Sequence, residues 1–437
     1  MREVIDYIIY ILAGDNSEYI GYGDRNTEGK IIIIKDKRFF DNYGTQGSMP
    51  EMPVKYLRNI PVLYGDNKIE IRGGKAYIYA DLIVSSYFML SGYEEMLYPQ
   101  IRDEWGRFPG KQSFAYKCSF LDRPIVDEYR CLLEDLMREI GMKVDKSPER
   151  VRKVYLTHDV DQPWPQFTLK QALKVSVYKL VRTYKFDMSA IKKYFGQYDE
   201  DFLESFYFLG KQDSKIQKIY LDDCQCIYFV LGNIRKQSIT ATYITDSKFK
   251  LVLDVINKNA GVIGIHGSPL SNGSMEVLAI EKERIEKITG SEVTKIRNHC
   301  LLVRNADELE KIYTLGIREE FSGGYADVAG FRYGISRAVR YINPYKKMLT
   351  NLVMQPLIVM DGTLSDERYM NMSFEQALDY VKKIIDIVKK TNGDLNILWH
   401  NHMCDSGAYT YHRKLYEEIL TYLASLGEDN ESNKRDI

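Results

Sequence analysis

The chain has 437 residues, 45% hydrophobic and 28% charged, a profile that excludes a disordered polymer and allows two or three domains. With 60 Lys and Arg against 61 Asp and Glu, the formal net charge is −1. No overall field therefore draws the chain to nucleic acid or to an anionic membrane, and neither is expected as a partner. The six histidines all lie from His158 onward, which points to the later part of the chain as the seat of any histidine chemistry.

Residues 1–12 carry a short apolar run broken by Asp6, with no small-residue cleavage site after it, which argues against a signal peptide. No stretch reaches the roughly 18 uninterrupted apolar residues of a membrane helix, so no transmembrane segment is expected. The six cysteines (Cys118, Cys131, Cys224, Cys226, Cys300 and Cys404) are irregularly spaced and read as free thiols in a reducing cytoplasm. Cys224 and Cys226, on one face of a strand pattern, leave a metal pair as the alternative.

In chain order, β-type runs at 30–35 and 75–79 alternate with Gly, Asp and Asn turns. Helical patterns follow over 82–97 and 125–140. The polar stretch 145–150, with Pro148 as a helix breaker, reads as a linker. The chain thus divides into an α+β domain over 1–148 and a second domain over 149–437. The second opens with a strand at 151–156, and residues 170–210 are mostly helical. Their basic first half reads as a solvated helical lid, with a membrane or lipid-linked face as the alternative. Further strands are expected at 226–231, 261–265, 294–296, 328–331, 357–360 and 395–398, and helices near 276–289, 373–390 and 411–425. Residues 427–437 are polar and read as a disordered tail. Such alternation implies a parallel α/β sheet or barrel, whose chemistry gathers at the C-terminal ends of its strands.

Five expected strands end in polar groups. In Thr157-His158-Asp159-Val160-Asp161, alternation sets Asp159 and Asp161 on one face and His158 on the other. Two carboxylates so placed can hold a cation or divide the work of base and ligand, or they can be turn aspartates only. The other ends carry His266, then Arg297 with His299, then Arg332 among glycines, then His400 with His402. A lone histidine is most often structural, but four of six at strand ends form a pattern. One Asp and two His would leave a divalent metal an open position for hydrolysis.

Residues 157–161, Ile265-His266-Gly267-Ser268, Gly330-Phe331-Arg332-Tyr333-Gly334 and Ile397-Leu398-Trp399-His400 resemble, in order, the motifs of the polysaccharide deacetylase (NodB-homology) superfamily. Residues 297–299, 324–327 and 360–364 are similar to a bacterial branch in which an N-terminal domain of unassigned function precedes the barrel; the strings 85–95 and 103–108 resemble that domain. The resemblance implies a distorted (β/α) barrel, usually seven-stranded, that removes acetyl groups from N-acetylated sugars with a divalent metal, often zinc. By the resemblance Asp159 is the base, Asp161 and His266 are metal ligands, Arg332 orients the base, and His400 is the general acid, with Asp361 placed to tune it. The family's second metal histidine, four residues after the first, is Leu270 here, and His299 is expected to replace it, with Arg297 nearby facing substrate. Trp164 and Trp399 flank the motifs and could stack on a sugar, or pack in the core; Tyr333 is a further candidate substrate contact. His158, His402 and His412 are left outside the site. The competing functions are a hydrolase of a non-sugar amide and an inactive, carbohydrate-binding barrel.

Overall fold

The computed structural model describes residues 1–164, 200–234, 242–404 and 410–435, with isolated positions at 173, 176, 177, 188 and 191. Most of the basic helical lid expected over 170–193 lies outside the described residues. The N-terminal portion is built on a four-stranded sheet. Helix α1 (Arg2–Ala13) buries Val4, Ile8, Ile11 and Leu12, a spacing that makes one apolar stripe. Strands β1 (Ile20–Gly23), β2 (Ile31–Ile34), β3 (Gly65–Arg72) and β4 (Lys75–Ala80) pair in the order β1-β2-β4-β3. The four consecutive isoleucines of β2 suit its central place, where both faces are covered. Helix α2 (Leu82–Leu90) is buried along its whole length, and its N-cap Asp81 accepts a 2.9 Å bond from the Val84 N–H. The helix expected over 82–97 breaks in two because Gly92 takes φ +60°. Helix α3 (Ile125–Glu139) follows.

The rest of the chain forms a nine-stranded sheet from β5 (Lys153–Val160), β6 (Cys224–Leu231), β7 (Val262–Gly267), β8 (Lys295–Asn298), β9 (Glu319–Glu320), β10 (Val339–Asn343), β11 (Met348–Met354), β12 (Val359–Met360) and β13 (Asp394–Leu398). The order is β10-β11-β9-β8-β7-β6-β5-β13-β12, and only the β10–β11 pair is antiparallel. Helices α4 (Glu204–Tyr220), α5 (Phe249–Lys258), α6 (Met275–Thr289), α7 (Phe374–Lys390) and α8 (Thr410–Arg435) connect and cover these strands. The capping box of Ser373 and Gln376 starts α7.

The sheet curls on itself. Arg297 of β8 donates to Thr157 Oγ1 (2.8 Å) and Asp159 Oδ1 (3.1 Å) of β5, although β6 and β7 lie between them. In a flat sheet strands so placed stand roughly 14 Å apart. Tyr155, Phe229 and Phe321 fill the interior below this contact. The architecture is a distorted (β/α) barrel, left open between β10 and β12.

Two further expected elements differ. Residues 328–331 form no strand; the hairpin β10–β11 occupies the sheet edge instead. That apolar run is buried by docking on the N-terminal portion, where the Phe331 N–H donates to the Leu121 carbonyl at 2.8 Å. Gly330 permits the approach: its φ is +143°, and a β-carbon there would stand 2.6 Å from the same carbonyl. Residues 428–435, which hold no Gly or Pro, continue α8 where a disordered tail was expected. The described cysteines are free, and Cys224 and Cys226 are buried in β6. Among the described residues no helix is long and apolar enough to cross a membrane.

The two portions are joined by buried polar contacts. The Asp127 carboxylate of α3 accepts from the Ser336 N–H and hydroxyl, both at 2.8 Å, and from Arg337 Nε at 2.7 Å.

Candidate active site

Strand β5 delivers the first groups. Its alternation turns Thr157, Asp159 and Asp161 toward the barrel interior and His158 outward. His158 bridges the Trp399 carbonyl (2.9 Å) and Asp213 (3.0 Å) behind the sheet, away from the cluster. Next to β5 and β6, β7 places His266 near its end; its Nδ1 bonds the Arg297 carbonyl at 2.9 Å, which leaves Nε2 as the free lone pair. His299 follows the end of β8 in a tight turn.

These strand ends converge. His266 Nε2 lies 3.2 Å and His299 Nε2 3.4 Å from Asp161 Oδ1. One ligand atom from each of the three residues lies within 4.8 Å of the others, a group able to hold a metal ion. Leu270, where the motif resemblance leads one to look for a histidine, is 57% exposed on the turn after β7; the third residue of the group is His299, in the turn after β8.

The electrostatics suit a cation. Burial opposes ionisation of Asp161, but His266, His299 and His400 outweigh it and hold the carboxyl well below the usual range. Burial likewise opposes charge on His266, yet Asp159 and Asp161 raise its pKa. For His299 burial wins, pushing it down to about 4, so it is a neutral donor at neutral pH. The buried Asp161 Oδ1 has no hydrogen-bond donor of its own, an uncommon state for a buried carboxylate oxygen.

Two pairs flank this cluster. On one side Arg297 holds Asp159 Oδ1, lying with its guanidinium 4.6 Å from the Phe229 ring centre and its Nε donating to the Phe321 carbonyl at 3.1 Å. Asp159 Oδ2 is thereby turned toward His266 Nε2, at 3.7 Å. On the other side Asp361, at the end of β12, receives His400 Nδ1 and the His400 backbone N–H, both at 2.7 Å. His400 Nε2 then faces Asp161 at 3.7 Å. Burial disfavours charge on His400, but Asp361, Asp161 and Asp159 push it up to about 10. Burial also opposes ionisation of Asp361, and His400 brings it down to about 2.

The remaining expected site residues lie elsewhere. Arg332 does not reach Asp159: it is tied to Glu95 of the N-terminal portion and to the Gly324 carbonyl. The guanidinium on Asp159 is that of Arg297, for which the sequence suggests a substrate contact. Trp399 is fully buried, donating to the His412 carbonyl and packing on Tyr416. Trp164 is buried edge-on against Phe202 and Tyr243. Neither ring offers a face to a sugar. Tyr333 lines a cavity of about 720 Å³ between the N-terminal portion and the barrel, together with Glu95, Phe108, Leu301, Arg304 and Arg332. That cavity lies behind the His299 turn, and no side chain of the Asp161, His266 and His299 cluster lines it. His402 stacks beside His400, ring centres 5.4 Å apart.

Residues 9–142 match a family of unknown function, DUF7033. No curated protein sequence matches the chain. Among solved structures, one assigned as a polysaccharide deacetylase from Mycobacterium smegmatis is 11% identical, with a TM-score of 0.39 over 67% of this chain and 94% of that one. The Puue allantoinase is 12% identical, with a TM-score of 0.36 over 64% of this chain and 86% of that one. A structure from Parabacteroides distasonis, assigned as a glycoside hydrolase or deacetylase, is 10% identical, with a TM-score of 0.34 over 66% of this chain and 72% of that one.

Proposed function

We propose that the protein is a metal-dependent hydrolase that removes acetyl from an N-acetylated sugar or saccharide, in the biosynthesis of a surface polysaccharide or glycoconjugate. The observation that carries this reading is the convergence of Asp161, His266 and His299, flanked by the Arg297–Asp159 pair on one side and the Asp361–His400 pair on the other. The donor set fits a divalent cation of the zinc type: one carboxylate oxygen without a hydrogen-bond donor, and two histidine Nε2 atoms aimed at it. What such a cation supplies when bound is Lewis acidity toward the amide carbonyl and a lowered pKa for water.

The protein's own groups divide the remaining work. Asp159, fixed through Oδ1 by Arg297, has Oδ2 free to take the proton of the attacking water. As the water oxygen bonds to the acetyl carbon, the C–N bond weakens, and the leaving nitrogen needs a proton. His400 holds one: its Nδ1 side is bonded to Asp361, so Nε2 points across the site to deliver it. The products are acetate and the free amine. The carbohydrate substrate rests on the motif resemblance, and the near-zero net charge accords with a neutral or weakly charged sugar.

Metal analysis of the purified protein, followed by acetate release from N-acetylated saccharides, tests the reading. Asp159→Asn should lower turnover at least about 100-fold with metal content intact. His299→Ala should lose metal, and retention of metal by that variant sinks the ligand assignment. Metal uptake without acetate from any saccharide favours a non-sugar amide, and absence of both favours an inactive binding barrel.

A further inference from the structure

His266 lies within β7 and Asp161 one residue beyond β5; His299 lies one residue beyond β8, where the backbone is unusual. It stands in a turn after β8 whose next two residues, Cys300 and Leu301, take left-handed conformations with φ +59° and +54°. Non-glycine residues adopt this region rarely, and as single residues rather than in succession. Such a backbone persists only where its surroundings over-determine it.

The support comes from the other portion of the molecule. Arg107 Nη1 donates to the Cys300 carbonyl at 3.2 Å, across 193 residues of sequence. The same guanidinium is fixed by Asp103 through Nε (2.7 Å) and by the Tyr369 hydroxyl through Nη2 (3.1 Å). Asp103 in turn accepts from the backbone N–H groups of Trp105 and Arg107, both at 2.9 Å, so the arginine springs from a stiffened turn. Within the His299 turn, the Cys300 thiol lies 3.1 Å from His299 Nδ1, so the residue Arg107 holds also touches the rear of the ligand ring. Neighbouring contacts seat the same segment on the barrel rim: Gly110 and Lys111 N–H groups donate to Asp327, and Lys111 Nζ to the Tyr369 carbonyl at 2.9 Å.

We propose that Arg107 is a positioning residue for His299, and that the N-terminal portion, residues 9–142 of which match a family of unknown function, completes the metal centre by clamping this turn. The inference rests on the reading of Asp161, His266 and His299 as ligands. It is tested by Zn²⁺ affinity of the full chain, measured by chelator competition, with thermal unfolding recorded alongside. Loss of a group that orients a metal ligand weakens affinity by about 10- to 100-fold. Arg107→Ala should show that loss. Arg107→Lys, which keeps the charge but has one donor nitrogen where the arginine uses three, should recover part of it. Lys111→Ala removes a cross-contact on the same rim without touching Cys300, and should bind Zn²⁺ as the wild type does. Wild-type affinity in Arg107→Ala overturns the proposal, as does an equal loss in Lys111→Ala, which would assign the effect to the interface as a whole. If Arg107→Ala fails to fold, wild-type affinity in Arg107→Lys overturns it. A wild type that takes up no Zn²⁺ defeats the ligand reading itself, a separate result.

Discussion

Two buried arginines of this molecule each face a carboxylate, and their surroundings differ. At the junction of the two portions, Arg332 gives three bonds to Glu95 at 2.7–3.1 Å and a fourth to the Gly324 carbonyl. In the barrel mouth, Arg297 gives Asp159 a single bond, its Nη2 has no hydrogen-bond partner, and Asp161 Oδ1 accepts no hydrogen bond either. Saturated polarity at the junction fixes one arrangement and leaves little to offer a ligand. Incomplete polarity in the mouth keeps charge and lone pairs ready for one, at a cost in stability that a purely structural cluster would not retain.

Four measurements break or sharpen that contrast. Arg332→Ala leaves the Glu95 carboxylate without its partner and should cost about 3–5 kcal/mol in urea unfolding, while turnover per folded molecule is retained. Arg297→Lys should do the reverse: a point charge cannot hold Asp159, Thr157 and the Phe321 carbonyl together, and kcat should fall about 100-fold with metal content unchanged. If Arg332→Ala is instead the variant that loses turnover, the contrast is wrong.

The third measurement concerns the junction alone. Burial, with Glu95 adding to it, pushes Glu94 up to about 8 against the Phe114 N–H bond that favours its charge. An acid raised above its unfolded value keeps a proton in the folded state that the unfolded chain releases. Stability should therefore fall as pH rises from about 4.5 to about 8, by on the order of 5 kcal/mol, and Glu94→Gln should flatten the dependence. An unchanged slope in that variant assigns the titration elsewhere. Smallest of the four, Thr157→Val removes one acceptor of Arg297 and one donor to the Ile397 carbonyl. About 1 kcal/mol of stability should be lost, with kcat reduced only a few-fold.

The strand ends were legible in the sequence because a period of two assigns faces without knowledge of the fold. That is why Asp159 and Asp161 separate from His158, and why His266, His299 and His400 stand out. The partner of Asp159 was not legible. Arg297 reaches it across two intervening strands, a contact that exists only because the sheet curls, whereas the order of motifs pointed to Arg332. The two tryptophans were ambiguous for a related reason: an aromatic beside a motif can be a platform or core. Tyr416 of α8 covers Trp399, and Phe202 with Tyr243 covers Trp164, and none of these is a sequence neighbour. The strand expected at 328–331 misled because its apolar residues are buried against the N-terminal portion, and a local pattern does not say which surface does the burying.

The pairing of β13 with β5 brings together residues made far apart in time. The Thr157 hydroxyl bonds the Ile397 carbonyl 240 positions later, and His400 stands two residues beyond that strand. A nascent chain that has exposed Asp159, Asp161, His266 and His299 still lacks His400, and closing so long a loop is slow. The amide cleavage proposed for this site would then wait until β13 has emerged and docked on β5.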